Sequence, residues 1–574
     1  MRFLAFFFIF FAQFAYAINI NPFYPAGITA TWDTTPADGG VLNGPGSWNV
    51  DTTSFTYNGG ANNSPFCQGC NVVFGGTGTG LAGPVTVIGT QRINNILFDP
   101  TDSGTPTYVL SGGTLACVNP IGNCTYTANQ NATIGSVISG TKGIIKEGAG
   151  NLILSGDNTA TGTVDINAGT LTFSTPGYNK YRGGQININN GRTMSLMATG
   201  GSYRYDFHGT TFNFDNFGGG SIITTGGPPL NWVLTGRWYF VTNGGARNTI
   251  GGTHPINMNN SSGHRIYFEV IPGSDPISDL DVTIPITNST HSIVKEGTGV
   301  LRLLANNTHT GNTQLRVGTL VLGDGVIPGN IIPATNPIEL EATLTYNTPS
   351  DIIHSGVISD KGNFIKQGTG TITLAPVFPA TNTYYGNTTV SAGTLSLGDG
   401  VNPENIIPAT NKITNNATLT YNTPGTITHS GVISGTGIFN KLGTGTLIFS
   451  GTNTYTGETT IVDGTLSLGD GTKTGNIIPA INLITNNATL TYNTPSTISH
   501  SGAISGTGIF IKEGTGTITL NGASTYTGGT AINAGTIICG VAGALGTGTV
   551  TVNPPGTFTT GPCTNATAGT GTIN

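Results

Sequence analysis

The chain is written in short alternations. Thr517-Ile518-Thr519-Leu520, Thr394-Leu395-Ser396-Leu397 and Thr465-Leu466-Ser467-Leu468 place polar and apolar residues in turn, the period-two pattern of a strand with one buried face. Thr, Val and Ile suit such a pleated surface. Gly-Thr-Gly, Asn-Ala-Gly and Tyr-Thr-Gly stand between the alternations. Their glycines accept the positive φ of tight turns. Beyond the N-terminal segment no stretch sustains a 3.6-residue period, so the sequence predicts strand, turn, strand and almost no helix.

These alternations recur in copies. GDGVIPGNIIPATNPIELEATLTYNTPSDIIHSGVIS starts at Gly323, GDGVNPENIIPATNKITNNATLTYNTPGTITHSGVIS at Gly398 and GDGTKTGNIIPAINLITNNATLTYNTPSTISHSGAIS at Gly469. Each is followed by a second block, as in ISGTGIFIKEGTGTITLNGASTYTGGTAINAGTIICG from Ile504. Versions of that block also begin at Ile433 and near Ile358, Ser292 and Ile138, five in all. A single coil of such strands cannot bury its apolar face. Stacking coils at 4.7–4.9 Å covers it and pairs the backbone. The expected fold is all-β: a right-handed parallel β-helix, or β-solenoid, of stacked rungs, the hand following the parallel crossover rule. A propeller fits poorly, because its blades run about 40–50 residues and these copies lie 75 and 71 apart.

Composition supports this picture. Gly numbers 89 of 574 residues and charged residues are only 8 %, against a usual ~25 %. Like charges stacked in register repel, so a solenoid disfavours them. A net charge of -6 lacks the basic footprint of a nucleic-acid binder.

Leu4 to Phe14 is an apolar run after Met1-Arg2, followed by Ala15-Tyr16-Ala17. This reads as a signal peptide, residues 1–17, cut after Ala17. The run is shorter than the ~20 residues that span a bilayer, and no later stretch is long enough, so no transmembrane span is expected. In an exported chain the six cysteines read as disulfide candidates in local pairs: Cys67 with Cys70, Cys117 with Cys124, Cys539 with Cys563. Half of a zinc site is the alternative for Cys67 and Cys70, but a second C-x-x-C and a nearby His are missing.

The order Lys512-Glu513-Gly514, Thr517 to Leu520, Tyr526-Thr527-Gly528 and Asn533-Ala534-Gly535 resembles the autotransporter-associated β-strand repeat, also called the passenger-associated transport repeat. The resemblance covers five blocks of about 35 residues. Gln367 and Leu442 depart from it at the Glu position, and His309 and Ala160 at the Tyr position. It implies a bacterial β-helical passenger of a type V secreted protein, exposed at the outer surface or released. Residues 541–574 are too short for the membrane barrel of a complete autotransporter. They read as a last rung or tail, so a barrel partner would have to lie outside this chain.

The remaining organisation follows. Residues 18–130 read as an N-terminal cap and first rungs, 131–173 as the first repeat block and 291–540 as tandem modules. Residues 174–290 do not repeat and are rich in aromatics: Tyr178, Tyr181, Tyr203, Tyr205, Phe207, Phe212, Phe214, Trp232, Trp238, Tyr239 and Phe240. They read as further rungs with long loops, or as a binding face.

No catalytic, cofactor or metal residues are assigned. Asp324, Asp399 and Asp470 recur too far apart to share an ion, whose ligands lie at about 2.3–2.6 Å. His354, His429 and His500 recur in His-Ser-Gly and read as a turn feature. Asp275, Asp279 and Asp281, with Glu269, read as an acidic turn, with a Ca²⁺ or sugar site as the alternative, and Lys-Glu-Gly as a solvated edge. The expected role is a non-catalytic stalk or adhesin presenting a repetitive ridge to host or matrix glycans or proteins, with repeats that assist secretion. A β-helical polysaccharide lyase or hydrolase is the alternative, because the fold hosts such enzymes without implying one.

Overall fold

Short alternating segments bounded by glycine become strands of 2 to 10 residues, and no helix occurs among the described residues. The computed structural model describes residues 28–573, leaving aside 34–44, 50, 52, 58–65, 76–81, 100–106, 175–178, 182–183, 190, 199–202, 209, 215–218, 227–229, 236–237, 258–264, 288–289, 330, 404–405, 560 and 564–571. The expected signal peptide lies outside them. Two compact units are present, Met1–Asn288 and Ser289–Asn574. Both are built as parallel β-solenoids.

In the first unit each strand pairs in parallel with the equivalent strand of the next coil. One such column runs Ile144–Glu147, Val164–Ile166, Gln185–Ile188, Thr211–Phe214, Trp238–Asn243 and Arg265–Ile271. Like residues therefore stack: the rings of Phe212, Phe240 and Phe268 lie 5.2 and 5.3 Å apart in the core. Near residue 30 the regular stack gives way to one antiparallel pair, Thr29–Trp32 with Phe55–Tyr57. There Trp32, Trp48, Phe55, Phe66 and Phe74 interlock, with centroids 4.9–5.9 Å apart.

A turn of the second unit has three sides, and where each carries a strand the pairing is plain. Ile413–Asn415, Thr418–Asn422 and Ile427–His429 are followed by Ile433–Ser434, Ile438–Leu442 and Thr446–Phe449, which pair back on them in the same order. A turn here takes 20 residues, from Ile413 to Ile433. In the next turn the side above Ile433 carries no strand. The segment there donates from the amides of Thr454 and Tyr455 to the Ile433 carbonyl, at 2.8 and 3.2 Å. Inward Ile, Leu and Phe form a continuous core: Ile413, Leu419, Ile433, Phe439, Leu447 and Phe449 are all at most 1 % exposed.

Candidate functional site: the repeated corners

Each Lys-Glu-Gly block ends a strand, and its lysine side chain points inward rather than outward. Lys146, Lys295, Lys366, Lys441 and Lys512 are all 0 % exposed. A buried ammonium needs hydrogen-bond acceptors, and backbone carbonyls supply them. Lys146 Nζ donates to Glu147 O and Gly148 O in its own corner, at 2.7 Å each, and to Ala168 O in the corner of the next coil, at 2.9 Å. Lys441 does the same with Leu442 O, Gly443 O and Asp463 O. Lys295, Lys366 and Lys512 repeat the pattern, reaching Val317 O, Ala392 O and Ala534 O on the next coil. Each lysine thus fastens two successive corners. Burial pulls the amine of Lys146, Lys366, Lys441 and Lys512 down to about 8, so all four stay charged at neutral pH. The expectation of a solvated edge is corrected for the lysine. Three backbone carbonyls from two successive corners take the place of water.

The glycines complete the cage. Gly464 has φ +68°, and a Cβ there would lie 2.3 Å from Gly445 O. Outside the cage the Glu side chain reaches the following coil: Glu147 accepts from Asn167 and Glu513 from Asn533, both at 2.7 Å. Glu296 pairs with Arg316. Leu442 replaces the Glu where Val462 replaces that partner.

A second network sits at the Tyr-Thr-Gly corner. Tyr455 OH and Thr459 Oγ1 are 2.7 Å apart; Thr459 donates to Asn482 Oδ1, and Asn482 Nδ2 donates to Gly457 O. Tyr384, Thr388, Asn411 and Gly386 O repeat it. At His309 the ring Nε2 takes the place of the tyrosine hydroxyl, 3.2 Å from Thr313 Oγ1. At Ala160 the partner position is Val164, and both are buried, so the tyrosine–threonine pair is replaced by two apolar side chains.

A model of the passenger-associated-transport repeat matches residues 144–173, 293–322, 364–397, 439–468 and 510–538. The chain carries five passenger-associated-transport repeats. Each match opens on the lysine strand and closes just after the corner that accepts from that lysine, so one passenger repeat is one complete cage. Over 294 residues the chain is 28 % identical to an adhesin, the BmaC autotransporter of Brucella suis biovar 1 (strain 1330). That match covers 49 % of this chain and 8 % of the adhesin. No solved structure matches the chain.

The other residues singled out in the sequence are placed as follows. His354, His429 and His500 end strands and are 1–2 % exposed. Tyr346 OH and Tyr421 OH lie 3.1 and 3.0 Å from Nδ1 of His354 and His429. The turn reading is corrected for the imidazoles, which belong to the core. Burial pushes all three down to about 4.

Asp324, Asp399 and Asp470 anchor loop turns, each accepting from the amide two residues on, at 2.9–3.0 Å. Burial opposes ionisation of Asp324, but the amides of Ile327 and Val326 hold its carboxyl below the usual range. Asp275 accepts from the amide of Ile277 and from Arg247, which lower it likewise. Arg247 also meets Asp281 at 3.5 Å, so Asp275 and Asp281 clasp one arginine, while Glu269 lies in the strand Arg265–Ile271.

The six cysteines form three disulfides, Cys67–Cys70, Cys117–Cys124 and Cys539–Cys563. Among the aromatics, Phe212, Phe214 and Phe240 are fully buried, and Tyr239 stacks on Tyr267 at 4.7 Å. Tyr178 and the side chains of Tyr181, Tyr203, Tyr205, Phe207, Trp232 and Trp238 lie outside the described set.

Proposed function

We propose that the chain is the outward-presented, contact-making part of a bacterial surface adhesin. It is exported through its apolar leader and acts without catalysis, as a support for loops that touch host or matrix glycans or proteins. One observation carries this reading. The side chains that repeat with chemical character are occupied inside the fold: lysine in its cage between coils, histidine against tyrosine, aspartate in its loop turn. The similarity to an adhesin supports it. Passenger repeats that lock coil onto coil are also suited to folding one after another outside the cell, which would aid secretion.

The test displays the chain on a non-adherent bacterium. Retention on cultured epithelial cells or on immobilised matrix protein is expected to rise several-fold over cells lacking it. Retention equal to the control would overturn the adhesive reading. Release of reducing ends from a polysaccharide panel, with or without Ca²⁺, would favour the glycan-cleaving alternative. For secretion, removing residues 364–438 should lower the amount of chain outside the cell; unchanged export would separate the repeats from that role.

A further inference from the structure

The passenger repeats of the second unit do not fit a whole number of turns. Phe364, in the strand after Asn363, pairs in register with Thr388, Thr388 with Ile413, and Ile413 with Ile433. Three full turns after Phe364 the chain is therefore at Ile433. Yet the residue equivalent to Phe364 in the next repeat is Phe439, one side further round. Phe439 sits in another column, with Leu419, Leu395 and Ile372.

The same offset occurs on both flanks. Ile293 heads the column Thr313, Ile338, Ile358, and its equivalent Phe364 begins one side later. Phe439 heads Thr459, Ile484, Ile504, and its equivalent Phe510 again begins one side later. With three sides to a turn, each step of 71 or 75 residues from one passenger repeat to the next takes three turns and one side. Successive copies are turned by about a third of a revolution and advanced by ~16 Å at 4.7–4.9 Å per coil.

The exposed loops follow this rotation. The first leaves the column Leu301, Leu320, Leu344, Phe364. The second leaves the column Ile372, Leu395, Leu419, Phe439. The third leaves the column Leu447, Leu466, Leu490, Phe510. Their tips are open to solvent: Val326 is 77 % and Val401 76 % exposed, and Thr472 is exposed too. The repetitive ridge expected from the sequence is thereby corrected, since equivalent positions wind around the axis.

We propose that the passenger repeat is an angular index: three copies aim three Gly-Asp-Gly loops to three sides, and a change of one copy re-aims everything that follows by a third of a turn. Each loop then meets its own partner molecule instead of sharing one surface. This goes beyond the adhesive reading and stands whatever the loops touch.

Spin-label pairs on the full chain test it, using V326C/V401C, V401C/T472C and V326C/T472C with the native disulfides kept. The first two distances are expected to be equal and clearly longer than ~16 Å, and the third to be well under twice the first. Distances in the ratio 1:1:2, near ~16 and ~32 Å, would place the loops on one line and overturn the proposal. Duplicating residues 364–438 supplies a second reading. The first and last loops then lie three repeats apart and on one side again, at the purely axial ~48 Å. A distance well beyond that would also overturn it.

Discussion

At the scale of the residue, the repeat motif is a set of solved burial problems. Replacing Lys441 by Met keeps the volume but leaves three carbonyls without their donor. An unsatisfied buried acceptor costs about 1–3 kcal/mol, and the three share one site, so K441M should lose about 2–4 kcal/mol in urea unfolding. K412M, at an exposed lysine, should change stability by less than about 0.5 kcal/mol. Equal effects would contradict the cage. The departures from the motif obey the same logic. Ala160 comes with Val164 and Leu442 with Val462, so a missing polar group is matched by a missing partner. The sequence displays both pairs, but nothing in it marks Leu442 and Val462, 20 residues apart, as neighbours until the coil length is known. The burial of the lysine is hidden in the sequence for a related reason: charge points to solvent, and the acceptors that replace solvent are backbone atoms with no sequence signature.

At the scale of the element, glycine explains both what was legible and what was not. The Asn-Ala-Gly and Gly-Thr-Gly turns were readable because positive φ favours glycine. What the sequence does not separate is a glycine needed for its dihedral alone from one pressed against the coil below. Gly464 is of the second kind: its Cβ would meet Gly445 O at 2.3 Å and Gly443 O at 2.6 Å. Gly543, at φ +75°, has nothing within 4 Å of that position. G464A should therefore cost about 2–5 kcal/mol, strain plus overpacking, and G543A about 1–2 kcal/mol from strain alone. Thermal or urea unfolding of the two variants separates them, and similar losses would mean the corners are not in contact. The His-Ser-Gly segment shows the same division. Its Ser and Gly make the turn, as the composition indicated, while the histidine belongs to the strand before it.

At the scale of the whole molecule, the buried histidines set an acid limit. Their pKa is near 4 in the fold and near 6.5 when unfolded. The unfolded chain takes up the proton first, so stability is full above about pH 6.5, falls as the pH drops toward 4, and is then level. Each histidine accounts for roughly 3 kcal/mol of that loss. Urea midpoints measured from pH 7.5 to 4.5 should fall steeply, and the slope should flatten in the H354N/H429N/H500N variant. An unchanged slope would mean the imidazoles are solvated. The stacking of coils was readable from the copies themselves. The rotation of the copies was not, because it depends on how many sides each repeat fills, and two of those sides carry no strand.

All of this assumes that a repeat has no interior of its own until coils above and below cover it. Amide hydrogen exchange on residues 364–438, alone and within the full chain, tests that assumption most directly. The account predicts that Phe364, Leu395, Leu419 and Ile433 of the full chain lie in strands whose amides exchange only on unfolding. The isolated segment should show no protection and no β-type circular dichroism. An isolated segment that protects the same amides and unfolds cooperatively would contradict it.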